Sequence, residues 1–280
     1  MKNQDKNTVE GFGDEWSRFD QSDLPEDEQR LLFDEYFSVF PWKDISRQSV
    51  GFDLGCGSGR WAKSVAPKVK KLICIDPSNA IDIAKKNLSN FDNCEFESAS
   101  VDDIPIDNNS MDFGYSLGVL HHVPDTEMGI KQCVEKLKKG SPLLLYLYYR
   151  FDNRPFWFRF IWSITDLLRK IISKMPYGLR YIFSQIIAVL VYFPLARTAL
   201  YLGKLNLNVT NFPLSSYKNL SFYTMRTDAL DRFGTRLEQR FTRKEIKNMM
   251  ENAGLEHIKF SNSKPFWVAV GYKKSETEQS

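Results

Sequence analysis

The chain has 280 residues, 42% of them hydrophobic, with 38 Lys and Arg against 35 Asp and Glu, a formal net charge of +3. That is long enough to bury a full α/β core and too balanced in charge for a polyelectrolyte, and no uninterrupted tract of about 20 apolar residues marks a plain membrane span. The four cysteines, Cys56, Cys74, Cys94 and Cys133, form no C-x-x-C pair and have no histidine at ligand spacing, so neither a metal centre nor a disulfide framework is expected and a cytoplasmic location fits best.

In chain order, residues 1–48 read as an N-terminal cap. Met1 to Asn7 lack an apolar signal region. Gly11 to Phe19 read as a glycine- and aromatic-bearing loop, in which Phe12 and Trp16 either close over a ligand or pack plainly, and Leu24 to Phe40 read as an amphipathic helix stopped by Pro41. Residues 49–149 alternate short apolar strands with helical stretches, the pattern of a parallel sheet.

The most informative segment lies at the start of this core. An apolar strand runs into Asp53 and then Gly55, Gly57 and Gly59, with a helix expected from about Ser58. Alternate glycines allow backbone angles and close ligand approach that side chains block. A dinucleotide loop wants G-x-G-x-x-G, which Arg60 excludes, and an acid at the strand end suits a cation better than a phosphate. A second apolar strand, Lys71 to Ile75, ends in Asp76 and Pro77 ahead of a helix over Ser78 to Leu88. By itself Asp76 reads equally as a ligand for hydroxyls or as a turn or cap residue.

The pattern D-x-G-x-G-x-G resembles motif I of the class I S-adenosylmethionine-dependent methyltransferases, and Asp112 to Val123 resembles the fourth strand and following loop of their ubiquinone/menaquinone-type branch. The resemblance implies a Rossmann-like, mostly parallel seven-stranded sheet whose last strand is antiparallel. It implies S-adenosyl-L-methionine as cofactor, with Asp53, Gly55, Gly57 and Gly59 around its methionine part, Asp76 and Pro77 at the ribose, Ser100, Val101 and Asp102 at the adenine, and Leu117 at the end of the fourth strand. Ser100 departs from the family, which usually carries an Asp there, so that contact is expected either to be weaker or to be taken by Asp102 or the Val101 backbone. His121, His122 and Tyr148, at the carboxyl edge of the sheet, are the candidate catalytic residues, each with the alternative of only shaping a loop; His121 is preferred by family position. Tyr149, Arg150, Asp152 and Arg154 follow on the same side.

Residues 150–240 read as a helical insertion. Trp157 to Ile172 repeat apolar residues at helical spacing over some five turns, and Tyr181 to Phe193 are apolar nearly all round, bracketed by Arg180 and Arg197. Between Arg150 and Lys204 stand nine basic residues and two acidic ones, a local charge of +7 that leaves −4 for the remainder. The insertion reads as a lid, a homodimer contact through 156–203, or an anionic membrane contact at the inner face of the membrane. Its interleaved apolar residues disfavour nucleic acid. The acceptor is then expected to be a small molecule, apolar or linked to a lipid or glycan. The core resumes over 241–273, with Thr242 capping a helix from Arg243 to Asn252 and two closing strands near 256–260 and 266–272; His257 reads as structural. Residues 274–280 read as a frayed tail.

Overall fold

A computed structural model describes residues 3–275. Most of the tail expected from 274 thus lies outside the described residues. The chain divides into two compact units, one of Met1–Val9, Arg30–Arg150 and Leu237–Ser280, the other of Glu10–Gln29 and Phe151–Arg236. Before the sheet come helices α1 (Lys6–Arg18) and α2 (Glu26–Tyr36). The stretch read as a loop from Gly11 is therefore helical. Its glycines are tolerated because the turns around them are held by side chains: Ser17 donates to the Gly13 carbonyl at 2.6 Å and Arg18 makes an i,i+4 pair with Asp14 at 2.8 Å.

The first unit is built on seven strands: β1 (Val50–Leu54), β2 (Lys71–Ile75), β3 (Cys94–Glu97), β4 (Phe113–Leu117), β5 (Pro142–Tyr146), β6 (Leu255–Phe260) and β7 (Ala269–Lys273). Their order in the sheet is β3-β2-β1-β4-β5-β7-β6, parallel through β5, with β7 antiparallel to both of its neighbours. This is the expected Rossmann-like seven-stranded arrangement. β1, β2, β4 and β5 are buried almost throughout, which is why they read as continuous apolar runs and not as alternating ones.

Helices α3 (Ala62–Val65), α4 (Ala80–Asn87), α5 (Thr126–Lys136) and α10 (Arg243–Asn252) connect and cover these strands. Thr242 and Glu245 close a reciprocal capping box at α10, as the Thr-x-x-Glu spacing demands. α5 is capped by Asp125, whose carboxylate accepts from the Met128 N–H at 2.9 Å. One core, from Phe52 and Ile75 through Ile130, Leu143 and Leu145 to Met250 and Leu255, runs through both halves of this unit. His257 sits inside β6 with a positive φ of 51°, at an irregularity between Glu256 and Lys259.

The second unit is helical. It holds α6 (Phe156–Ile172), α7 (Tyr177–Ile187), a π-helical turn (Ala188–Tyr192), α8 (Phe193–Lys204) and α9 (Phe222–Gly234). Ile172, Ala188, Tyr192 and Ala196 pack with Met225, Ala229 and Phe233 of α9 into its own core. α7, the π turn and α8 form one helical run of 28 residues, longer than the apolar stretch from 181 to 193 suggests. The reason is that Arg180 and Arg197, which bracket that stretch in the sequence, both turn inward. Arg180 donates to the Met175 and Gly234 carbonyls at 2.6 and 3.2 Å, and Arg197 to those of Lys218 and Leu220 at 3.0 and 3.3 Å. The helix continues past both.

Candidate active site

The sheet reverses its winding between β1 and β4, the place where open α/β folds present ligands at the strands' carboxyl ends. Two loops meet there. The first follows β1 and turns back at once: the Gly55 and Cys56 N–H groups both donate to the Ile75 carbonyl at 2.7 and 3.0 Å, and Gly55, Gly57 and Gly59 all take positive φ. At Gly55, with φ +76°, a Cβ would stand 2.3 Å from Cγ2 of Val119 in the loop after β4, so the position requires glycine on both conformational and steric grounds. The helix expected from Ser58 begins only at Ala62 and lasts four residues; the glycine turn occupies the residues before it.

Asp76 ties this loop to β2. Its Oδ2 accepts the Gly57 N–H at 2.9 Å, while Oδ1 accepts the Ser78 N–H at 2.9 Å and the Ser78 hydroxyl at 2.6 Å. A carboxylate offers about four lone-pair sites, so three are spent on shaping the loop and one is left for a ligand. Burial raises the Asp76 pKa, and the bonds from Ser78 and Gly57 oppose that rise. The turn role and the ligand role read from the sequence are thus compatible in one side chain. Pro77, half-buried, leads from it into α4.

Asp53 differs from Asp76 in having little to hold it. It is 1% exposed and its Oδ2 has no hydrogen-bond partner. Burial pushes its pKa up to about 8, eased by the Tyr115 hydroxyl and reinforced by Asp76 and Cys94. A buried carboxylate with an orphaned oxygen is costly unless a ligand completes it. Asp102 repeats the feature on the loop after β3, where its Oδ2 is buried without a partner beside half-buried Ser100 and buried Val101. Leu117 ends β4, buried, ahead of Gly118. Cys56 is buried, and although its neighbour Cys74 favours the thiolate, burial together with Asp76 and Asp53 leaves its pKa up at about 11.

The three candidate catalytic residues come together. His121 and His122 lie on a 3-10 turn after β4, Tyr148 follows β5, and the His121 ring stacks on Tyr148 with centroids 3.8 Å apart and lies 3.9 Å from that of His122. Their environments separate the two histidines. His121 is fully buried, neither ring nitrogen has a hydrogen-bond partner, and burial, then His122, then Arg240 hold its pKa well below the usual histidine range. His122 Nδ1 lies 2.6 Å from the Leu237 carbonyl. A carbonyl can only accept, so in the neutral ring Nδ1 carries the hydrogen and Nε2 carries the lone pair.

Other members of the cluster are invisible to sequence reasoning. Tyr36, from α2, packs against Trp61 at 4.6 Å and edge-on to Tyr146 at 5.0 Å between centroids. Arg240, paired with Glu238 at 2.8 Å, places its guanidinium 4.8 Å from the Tyr148 ring centre. Phe12 and Trp16, the aromatics singled out in the cap, belong to the second unit. Arg150 is taken by Glu245 and the Arg240 carbonyl, and Arg154 by the Thr210 carbonyl and Asn211. Among the described residues no group of three or more His, Cys, Asp or Glu is placed to hold a metal ion.

The fold is the α/β fold of class I methyltransferases. A family model described as a methyltransferase domain matches residues 52–145, the span from β1 to β5 that carries both loops. No curated protein matches the chain. Among solved structures, a SAM-dependent methyltransferase from Thermotoga maritima is 16% identical, covers 95% of this chain and 100% of its own, and superposes with a TM-score of 0.51. A protein from Bordetella parapertussis described as a possible exported protein is 12% identical over 94% of this chain and 79% of its own, with a TM-score of 0.53. At these identities the likeness is one of fold.

Proposed function

We propose that this chain is an S-adenosylmethionine-dependent methyltransferase that moves a methyl group to an oxygen, carbon or nitrogen of a small, apolar acceptor. The observation that carries the reading is Asp53: a buried carboxylate with an unsatisfied oxygen, at the mouth of a glycine turn, fits a cationic ligand. The residues present suit the cofactor. Asp53 and the turn of Gly55, Gly57 and Gly59 would receive its methionine part, the remaining lone pair of Asp76 and the adjoining Pro77 its ribose, and Ser100, Val101, Asp102 and Leu117 its adenine side. When bound, the cofactor supplies an electrophilic methyl group on a sulfonium.

The protein's own part is alignment, water exclusion and proton removal. Positioning carries most of the rate in such a displacement. Tyr36, Trp61, Tyr146 and Tyr148 offer an aromatic wall that favours an apolar acceptor over an anionic one. His122 is the residue assigned to take a proton, because the Leu237 carbonyl fixes its tautomer with the lone pair on Nε2. His121, tilted against that ring, and Tyr148, edge-on to it, support it.

Incubation of the protein with methyl-labelled cofactor and a cell extract, fractionated into lipids, glycans, small molecules and protein, tests the reading. Label is expected in the small-molecule or lipid fraction and reduced with Asp53→Asn. Label in none of the fractions, from protein that binds the cofactor, would leave a binding protein in place of an enzyme.

A further inference from the structure

The helices of the second unit have their polarity reversed. On α6, Phe156, Phe160, Ile164, Leu167 and Ile171 are 55–75% exposed, while Arg169 is 5% exposed and Asp166 is largely covered. Arg169 bonds to Asp166 at 2.7 Å and to the Thr235 carbonyl at 3.1 Å, and Arg232 of α9 lies 3.6 Å from the same carboxylate. The run from α7 to α8 behaves alike: Ile182, Ile186, Val189, Leu190 and Tyr201 are exposed, and Arg180 and Ser184 are buried. A protein face surrounded by water has the opposite arrangement. An apolar groove of about 590 Å³ opens on the α7 face between Ile182, Ile186, Val189, Leu190 and Phe222, with Arg226 at its polar side.

We propose that this face docks on the surface of an anionic lipid bilayer, with α6 and the α7–α8 run lying in the interface. Charge selects the occupant. Arg159, Lys174 and Lys204 are exposed cations of 156–204, and Asp166, the one acid of that segment, is turned inward and already paired with Arg169 and Lys170. A second copy of this chain would set these cations against their own equivalents with no acid to pair them, whereas anionic headgroups supply the opposite charge. Phe156, Trp157 and Tyr201 are exposed aromatics of the kind that settle at a membrane–water boundary.

The run Tyr177–Lys204 has a mean hydropathy of 1.7 in its most apolar window and, at 28 residues, a length of about 42 Å, enough to cross a bilayer. It lies on the bilayer and does not cross it, because its inner side is committed to α9. Arg180 and Gln185 bond to the Gly234 and Arg226 carbonyls, and Arg226 donates to Gln185 Oε1 at 2.6 Å and the Tyr181 hydroxyl at 3.0 Å. Crossing would carry those charges into hydrocarbon, which bilayers tolerate only at high cost. Docking is driven chiefly by apolar burial, since Arg150, Arg154, Arg169, Arg180 and Arg197 are spent on acceptors within the protein. The inference is independent of methyl transfer.

Flotation of the full chain tests it, with vesicles of phosphatidylcholine alone or mixed with phosphatidylglycerol, at low and high salt. The protein is expected to float with the mixed vesicles and to be weakened but not released by salt. Lys174→Glu should lower partitioning by about fivefold or more, as one lost cation implies. Leu190→Glu and Leu167→Glu, both at solvent-facing positions, should lower it at least about tenfold with unchanged thermal melting; Ile164→Gln replaces either one that fails to fold. Alkaline carbonate should release the wild type. Protein that stays soluble under every condition overturns the proposal, as does a dimer that Leu190→Glu dissociates without any vesicle binding, or resistance to carbonate, which would mean a spanning helix.

Discussion

His122 donates its Nδ1 hydrogen to the carbonyl of Leu237 at 2.6 Å, and that one bond distinguishes two adjacent histidines whose sequence context is the same. His121 has no such partner and is fully enclosed. His122→Gln is therefore expected to lower kcat by about 10²- to 10⁴-fold with cofactor affinity kept within about twofold. His121→Phe, which keeps a ring against Tyr148, should cost far less activity. Equal losses in both variants, measured by single-turnover methyl transfer, would remove the distinction.

Gly55 and Val119 fix the distance between the two loops of the site. Gly55→Ala is expected to destabilise the protein by about 2–4 kcal/mol, from left-handed strain together with overpacking against Val119. Adding Val119→Ala should restore the steric part and leave the conformational part. Chemical denaturation of the two single variants and the double variant measures the coupling; simple additivity would show that the contact does not constrain the loop.

In the second unit, Asp166 holds the buried guanidinium of Arg169 and faces the half-buried one of Arg232. Burial alone would raise its pKa, but the hydrogen bonds from Arg169 and Lys170 and the charges of Arg169 and Arg232 bring it below the ordinary value. A carboxylate with a depressed folded pKa stabilises the fold above its unfolded pKa and loses that contribution as the pH falls through the folded value. Asp166→Ala is expected to cost about 3–5 kcal/mol near neutral pH by leaving the buried Arg169 charge without its carboxylate, with only the Thr235 carbonyl to accept from it, and less in acid. Urea denaturation at pH 7 and below pH 4 checks the sign. A pH-independent difference would contradict it.

The parts of this molecule that were legible from sequence are those written in local spacing. The alternating glycines, the acids ending β1 and β2 and the Thr242 cap each encode a backbone conformation within a few residues. Residues that reach the site from distant segments carry no local mark: Tyr36 meets Tyr146 only through the packing of α2, and Arg240 meets Tyr148 only because the chain returns after Leu237. α1 was obscured by Gly11 and Gly13, which count against a helix unless i,i+4 bonds compensate. The inward turn of Arg180 and Arg197 shows the same limit in reverse, since a charge ends an apolar helix on paper and yet caps carbonyls in the fold.

Asp53 provides a linked expectation. Its folded pKa of about 8 lies above the unfolded value of 3.8, so the folded chain holds more protons between those limits and its stability falls as the pH rises through that window. Asp53→Asn removes the ionisation, and the apo protein should then melt higher than wild type at pH 8 and show a flatter pH dependence. An identical slope in the two proteins, measured by calorimetric melting between pH 5 and 8, would place the titration elsewhere.

The binding isotherm of S-adenosylmethionine for wild-type protein and for Asp53→Asn, followed from pH 6 to 8 by titration calorimetry, tests the central assignment most directly. A cationic ligand completing the Asp53 carboxylate should bind more tightly as the pH rises toward 8 and should displace a proton. Asp53→Asn should weaken binding by about five- to a hundredfold and remove that part of the pH dependence. Equal affinity and equal pH dependence in the two folded proteins would contradict the assignment of this loop as the cofactor site.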